Sequence, residues 1–190
     1  DNNFRTANAN DRKSVSFWDY LNKEGVKAGV VNIPMTYPAE EIQGFFISGF
    51  DSPNDSPLKV YPQKIFDESK TNSKLRSVLN VISLDMSAKG KKFNEFASRY
   101  FQYIEAQTEI TLNLVEQYNV DVCIINYMIC DHFNHYTKDY NDIENCLEKV
   151  DACIGKIKET RKEANFIIIS DHGSCRYEKI KGAVSIITAS

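Results

Sequence analysis

The sequence predicts an α/β fold, a mostly parallel, doubly wound sheet with helices on both faces. Three observations predict it. The apolar period switches repeatedly between that of a helix and that of a strand. Two apolar runs read as strands buried on both faces, which favours a parallel, helix-covered sheet. The helical stretch between those runs is long enough for a right-handed crossover. With 190 residues, 42% of them hydrophobic and 12% aromatic, the chain can bury one core, so residues 1–190 are read as a single α/β domain.

The elements follow in order. Ser16 is placed to cap a short helix over 17–24, with Asp19 at the capping-box position and Gly25 as terminator. A strand over 27–33 ends at Pro34-Met35-Thr36-Tyr37-Pro38, where two prolines oppose further regular structure. A short apolar run covers 44–50. The stretch 51–74 is rich in Pro, Ser, Asn, Asp and Lys and reads as loop or lid material, and 51–92 as a lid-like insertion in the domain. Phe93, Phe96, Tyr100, Ile104, Ile110, Leu114 and Tyr118 form a stripe at helical steps and predict a long amphipathic helix. Residues 120–129 read as a strand buried on both faces, with Asp131 at its end. Ile143, Leu147, Val150, Ile154 and Ile157 mark a second helix, and 165–169 a second buried strand that delivers Ser170 and Asp171.

Charge and cysteine content narrow the function classes. A net charge of −3 with acids and bases interspersed provides no basic face for nucleic acid and no polybasic membrane anchor. No apolar run approaches the roughly 20 residues of a membrane span, and 1–10 lacks signal-peptide regions, so a cytoplasmic location is expected. The five cysteines, at 123, 130, 146, 153 and 175, are odd in number and contain no Cys-x-x-Cys pair, so they read as reduced thiols. Cys123, Cys146 and Cys153 fall in apolar patterns as small buried hydrophobes. Cys175, close to His172, could be a nucleophile beside a base, but the third group such an enzyme needs has no candidate.

All three histidines lie in two strings, Asp131-His132-Phe133-Asn134-His135 and Asp171-His172-Gly173. Each follows an apolar, β-type run. Carboxylate oxygen and imidazole nitrogen suit zinc and its first-row neighbours. Alone, each string reads first as a solvated or helix-capping segment and only second as a metal site. Together they fall at the carboxyl ends of two predicted parallel strands, where α/β folds bind ligands, and four donors would share one crevice.

Asp-x-x-x-His after one strand and Ser-Asp-His-Gly after another resemble the metal motifs of the alkaline phosphatase superfamily. The strings Phe17-Trp18-Asp19-Tyr20-Leu21, 25–38 with its Pro34-Met35-Thr36-Tyr37-Pro38 end, Gly44 and Ser48-Gly49-Phe50 narrow this to its type I phosphodiesterase/nucleotide pyrophosphatase branch. The resemblance runs from about 17 to 173 and is weakest between 51 and 92. It implies an alkaline phosphatase-like fold and two divalent ions, zinc first, with manganese or iron as alternatives. It implies Asp131 and His135 on one ion and Asp171 and His172 on the other, with His132 a neighbour where relatives commonly carry arginine. Thr36 either lines the substrate pocket or caps its turn. The substrate would be a small phosphodiester or nucleotide.

The family also implies an upstream strand with another aspartate ligand and a threonine or serine nucleophile, and a further histidine downstream. None has a candidate here; Thr6 sits in a polar, Asn-rich stretch. The chain is therefore expected to be an interior fragment, a partial hydrolase domain, or to have its partner segments on another chain, with weak metal binding and negligible turnover when isolated. Two alternatives accompany this reading: a phosphomutase of the cofactor-independent phosphoglycerate type, and a non-catalytic metal-binding or scaffold domain.

Overall fold

The computed structural model describes residues 7–80, 91–137 and 139–173. Its centre is a four-stranded sheet in the order β3-β2-β1-β4. The strands are β1 (Ala28–Ile33), β2 (Gly44–Ser48), β3 (Val60–Tyr61) and β4 (Val122–Ile125). β1 pairs in parallel with both β2 and β4, and β3 runs antiparallel on the far edge of β2. The mixed, mostly parallel α/β sheet is the predicted fold class.

Alternation along β1 and β2 builds a core on each face. Val31, Phe45 and Ile47 point to one side, while Ala28, Val30 and Phe46 point to the other. On the second side packs α1 (Phe17–Lys23), through Trp18 set edge-on to Phe46 at 5.4 Å. Asp19 accepts the Ser16 amide at 2.8 Å, as the capping-box pattern requires, and Gly25 at φ +75° ends the turn. Full burial of Phe45 and Phe46 contributes about 2–3 kcal/mol for each side chain.

The first side is covered by α2 (Lys64–Ser69), α3 (Ser73–Leu79) and the carboxyl half of α4 (Lys91–Gln117). This corrects the expectation of loop over 51–74. Ile65 of that region and Leu75, Val78 and Leu79 just after it enter the sheet core, joined by Ile110 and Leu114 of α4. Overall polarity misled because short helices need only one apolar face: Leu75, Val78 and Leu79 stand three and four residues apart while their neighbours face water.

The amino half of α4 makes a separate helical core. Phe93, Ala97, Tyr100, Tyr103 and Ile104 pack with Ile129 and Phe133 of α5 (Ile129–Tyr136) and Cys146 and Cys153 of α6 (Tyr140–Thr160). Asn119, in the left-handed region at φ +50°, turns the chain out of α4 toward β4. Among the described residues, no helix is long and apolar enough to cross a membrane.

Three strand-level expectations need correction. The apolar run 120–129 is a strand only over Val122–Ile125, and Ile129 already belongs to α5. β4 is half-exposed instead of buried on both faces, and Cys123 is exposed, because among the described residues β4 is the last strand of the sheet and pairs with β1 alone. Residues 165–169 form no strand: Ile167, Ile168 and Ile169 are 85%, 76% and 83% exposed. An apolar run reports what would gain from burial, but a strand also needs a ladder partner, and these residues pair with none among the described ones.

Two positions yield direct tests. Gly44 has φ +131°, and a Cβ there would stand 2.0 Å from the Ala28 carbonyl oxygen. Gly44→Ala is expected to destabilise the fold by roughly 3 kcal/mol in urea unfolding. Lys59, 1% exposed, keeps its ammonium without a hydrogen-bond partner among the described residues. Burial lowers its pKa from 10.5 to about 8, with the Asp51 carboxylate opposing the shift. The unfolded chain thus binds the extra proton between those values, and stability climbs with pH across that window. Lys59→Met should stabilise by roughly 1–3 kcal/mol at pH 7, and the gain should vanish as pH rises from about 8 to 10.5, read from urea midpoints.

Candidate metal centre

The parallel strands β1, β2 and β4 end on one edge, and the segments that follow them carry Thr36, Phe50, Asn126 and, in α5, Asp131 and His135. At the end of β1 the pairing with β2 shifts register between Val31 and Ile33. Asn32 sits in that irregularity at φ +59°, a conformation asparagine tolerates better than most residues. Its side-chain amide donates to the Asn126 carbonyl at 3.2 Å, and the Asn126 amide returns a bond to the Asn32 carbonyl at 3.0 Å. Gln107, fully buried on α4, also donates to the Asn126 carbonyl at 2.9 Å. One backbone oxygen so ties β1, the exit of β4 and α4 together, just before the chain enters α5.

Thr36 is 2% exposed and caps the turn after β1. Its hydroxyl donates to the Ile33 carbonyl at 2.6 Å and accepts from the Gly49 amide at 3.1 Å. Of its two expected roles, the described geometry displays the capping one. Met35 beside it is in the left-handed region at φ +61°, with its amide held by the Asp51 carboxylate at 2.9 Å.

Asp131 and His135 lie one helical turn apart on α5, with Asp131 Oδ1 3.4 Å from His135 Nε2. The expected pairing of i and i+4 on one side holds, although a helix and not a strand end presents it. His132 faces the other way. It is 8% exposed, its Nδ1 lies 2.7 Å from the Tyr100 hydroxyl, and Phe50 stands edge-on to its ring at 5.5 Å. Burial lowers the His132 pKa against the pull of Asp131, and the contacts with Tyr100 and Phe50 make the ring an anchor for α5.

Asp171 and His172 form the second pair, with Asp171 Oδ2 3.5 Å from His172 Nε2, both side chains well exposed. The His172 pKa is raised, first by its Nδ1–H bond to the Gly173 carbonyl at 3.0 Å, next by Asp171, and also by Asp131. The two strings therefore lie within electrostatic reach of each other. They do not converge on one point: among the described residues, no three His, Cys, Asp or Glu side chains could hold one ion. The structure shows two separate Asp–His pairs in place of a shared four-donor crevice, because 165–169 has no ladder partner among the described residues. Cys175 lies outside the described residues.

Asn32, Asn126, Gln107 and Tyr100 were not anticipated as site-supporting residues. A signal existed for Gln107: it falls in the gap of the α4 stripe between Ile104 and Ile110, where an apolar residue is due.

Comparison with known proteins gives two findings. Residues 1–186 match the family described as type I phosphodiesterase / nucleotide pyrophosphatase. Among curated proteins, a 2,3-bisphosphoglycerate-independent phosphoglycerate mutase of Campylobacter jejuni subsp. jejuni serotype O:23/36 (strain 81-176) is 40% identical over 57 residues, 29% of this chain and 11% of that protein. A mutase of the same description from Helicobacter pylori (strain ATCC 700392 / 26695) is 33% identical over 75 residues, 37% of this chain and 15% of its own. The matches thus span a small part of these relatives' length. No solved structure matches significantly.

The His132 anchor can be tested directly. Tyr100→Phe leaves a buried imidazole nitrogen without its partner and should cost about 1–3 kcal/mol, measured by chemical denaturation.

Proposed function

The chain belongs to the type I phosphodiesterase/nucleotide pyrophosphatase family of the alkaline phosphatase superfamily, and from that we propose that it is part of a metal-dependent phosphodiesterase or nucleotide pyrophosphatase. Its substrate is a small phosphodiester or nucleotide, and its ions are two divalent metals, zinc first. Asp131 and His135 hold one, Asp171 and His172 the other.

One observation carries the metal assignment. Two donors on one tetrahedral zinc, each about 2.0–2.1 Å from the ion, stand about 3.4 Å apart. The two Asp–His pairs have donor separations of 3.4 and 3.5 Å. Each separation matches that of two ligands on one zinc, which supports the assignment of each pair to one ion. Each supplies two ligands, fewer than the three of a catalytic zinc site, and the described residues offer no third.

Bound there, divalent ions supply Lewis-acid polarisation of a phosphoryl oxygen and a lowered pKa for an attacking hydroxyl. The chain's own residues do the rest by positioning. Asp131 lies in the first turn of α5, where the helix dipole favours its negative charge, and His135 one turn later completes the pair. His132, locked against Tyr100 and Phe50, keeps α5 from rotating those donors away. The Asn32–Asn126 exchange fixes the point from which α5 departs. With a net charge of −3 and acids and bases interspersed along the sequence, recognition of a phosphate rests on this local edge. The proposed setting is the cytoplasm, in line with the free thiols of Cys123, Cys130, Cys146 and Cys153.

A phosphomutase is the second reading, favoured by the phosphoglycerate mutase relatives. Phosphoryl transfer to water or back to the same substrate separates the two.

In the intact protein that carries this chain, zinc content and hydrolysis of bis(p-nitrophenyl) phosphate test the reading. Asp131→Ala and Asp171→Ala are each expected to lower activity by roughly 100-fold or more, since even outer-shell losses cost 10- to 100-fold. An intact protein that holds no divalent ion, or keeps full activity in Asp131→Ala, would sink the assignment.

A further inference from the structure

We propose that Cys130 and Cys146 are a redox modification site, a thiol pair that closes into a disulfide joining α5 to α6 on meeting a hydroperoxide. Their sulfurs already lie 3.8 Å apart. A disulfide needs about 2.05 Å, so the sulfurs have roughly 1.8 Å to close, a distance side-chain rotation and a slight helix shift supply. The pair is also asymmetric in access. Cys146 is fully buried in the helical core, while Cys130 is half-buried at its margin, so an oxidant arrives at Cys130 first. Cys153, the other α6 thiol, lies two turns further along the helix, and Cys123 is on β4.

The chemistry balances in two steps. The Cys130 sulfur attacks one peroxide oxygen; the S–O bond forms as the O–O bond breaks, and the other oxygen leaves as an alcohol, or as water from hydrogen peroxide. The resulting sulfenic acid is then attacked by the Cys146 sulfur; the S–S bond forms as the S–O bond breaks, and hydroxide leaves as water with the Cys146 proton. Two electrons pass from the two thiols to the peroxide. A thiol reductant reverses the bond by exchange.

The place of the bond matters. Cys130 immediately precedes Asp131, and the Cys130 carbonyl accepts the Asn134 side-chain amide at 2.8 Å inside α5. Closing the bond draws this turn of α5 toward α6 and moves the Asp131 carboxylate with it. The bearing on metal binding rests on the metal reading above, but the bond itself does not.

The test treats the intact protein with hydrogen peroxide, blocks remaining thiols, and maps peptides without reduction. The expected product is an intramolecular Cys130–Cys146 link, lost on dithiothreitol treatment. Cys130 recovered as a free thiol, as a sulfinic acid, or joined to a different cysteine overturns the proposal. In a Cys146→Ser variant shown to be folded by circular dichroism, Cys130 should proceed to sulfinic acid under the same exposure. Equal protection of Cys130 in that variant overturns it as well. The map needs no metal, so its outcome is separate from that of the zinc measurement.

Discussion

The burial of the α4 stripe is the constraint on which the rest of the structure depends. A helix of 27 residues rises about 40 Å at 1.5 Å per residue, longer than either core it serves. Its carboxyl half presses Ile110 and Leu114 onto the sheet, and its amino half presses Phe93, Tyr100 and Ile104 onto α5 and α6. Between them lies a buried polar belt, Gln107, Thr108 and Thr111. The two threonine hydroxyls bond carbonyls one turn back, and Thr108 also meets the Tyr127 hydroxyl at 2.6 Å. Gln107 uses its amide on Asn126. The belt satisfies its donors where sheet core gives way to helical core, so one rigid helix sets the distance between the sheet edge and the helices beyond it.

The candidate metal centre inherits its geometry from that arrangement. α5 is a short helix with no side-chain N-cap, and by itself it would be marginal. Tertiary contacts hold it: Ile129 and Phe133 are in the helical core, and His132 is wedged between Tyr100 of α4 and Phe50 after β2. Those contacts occupy one side of α5 and leave Asp131 and His135 together on another, the His135 side chain well exposed. Cys130 and Cys146 sit in the same contact between α5 and α6, so a change in their bonding bears on both helices.

Much of the fold was legible from periodicity. The α1 cap at Ser16 and Asp19, the parallel strand over 28–33, the long α4 stripe and α6 all follow from apolar spacing and cap residues that act within a turn or two of themselves. The helices within 64–79 were hidden by their polar majority. The extent of β4 was overread, because an apolar run does not mark where a strand stops and a helix begins. For the site, the pairing of Asp131 with His135 was readable because i and i+4 meet on any helix, and Asp171 with His172 because they adjoin. The supporting shell of Asn32, Gln107, Tyr100 and Asn126 was not, since each joins residues distant in sequence.

The sequence by itself determined the local terms of this protein: which faces are apolar, where helices are capped, which donors stand in pairs, and the family to which the motif order belongs. Only the tertiary structure decided that β4 is the last strand among the described residues, that Asp131 and His135 stand together on a helix, that His132 is an anchor, and that two cysteines sixteen positions apart have sulfurs 3.8 Å from each other. The physical reason is range. Propensity, capping and side-chain periodicity act between near neighbours, whereas edge pairing, burial of polar groups and thiol contact depend on how separate elements pack, and no local pattern encodes that packing.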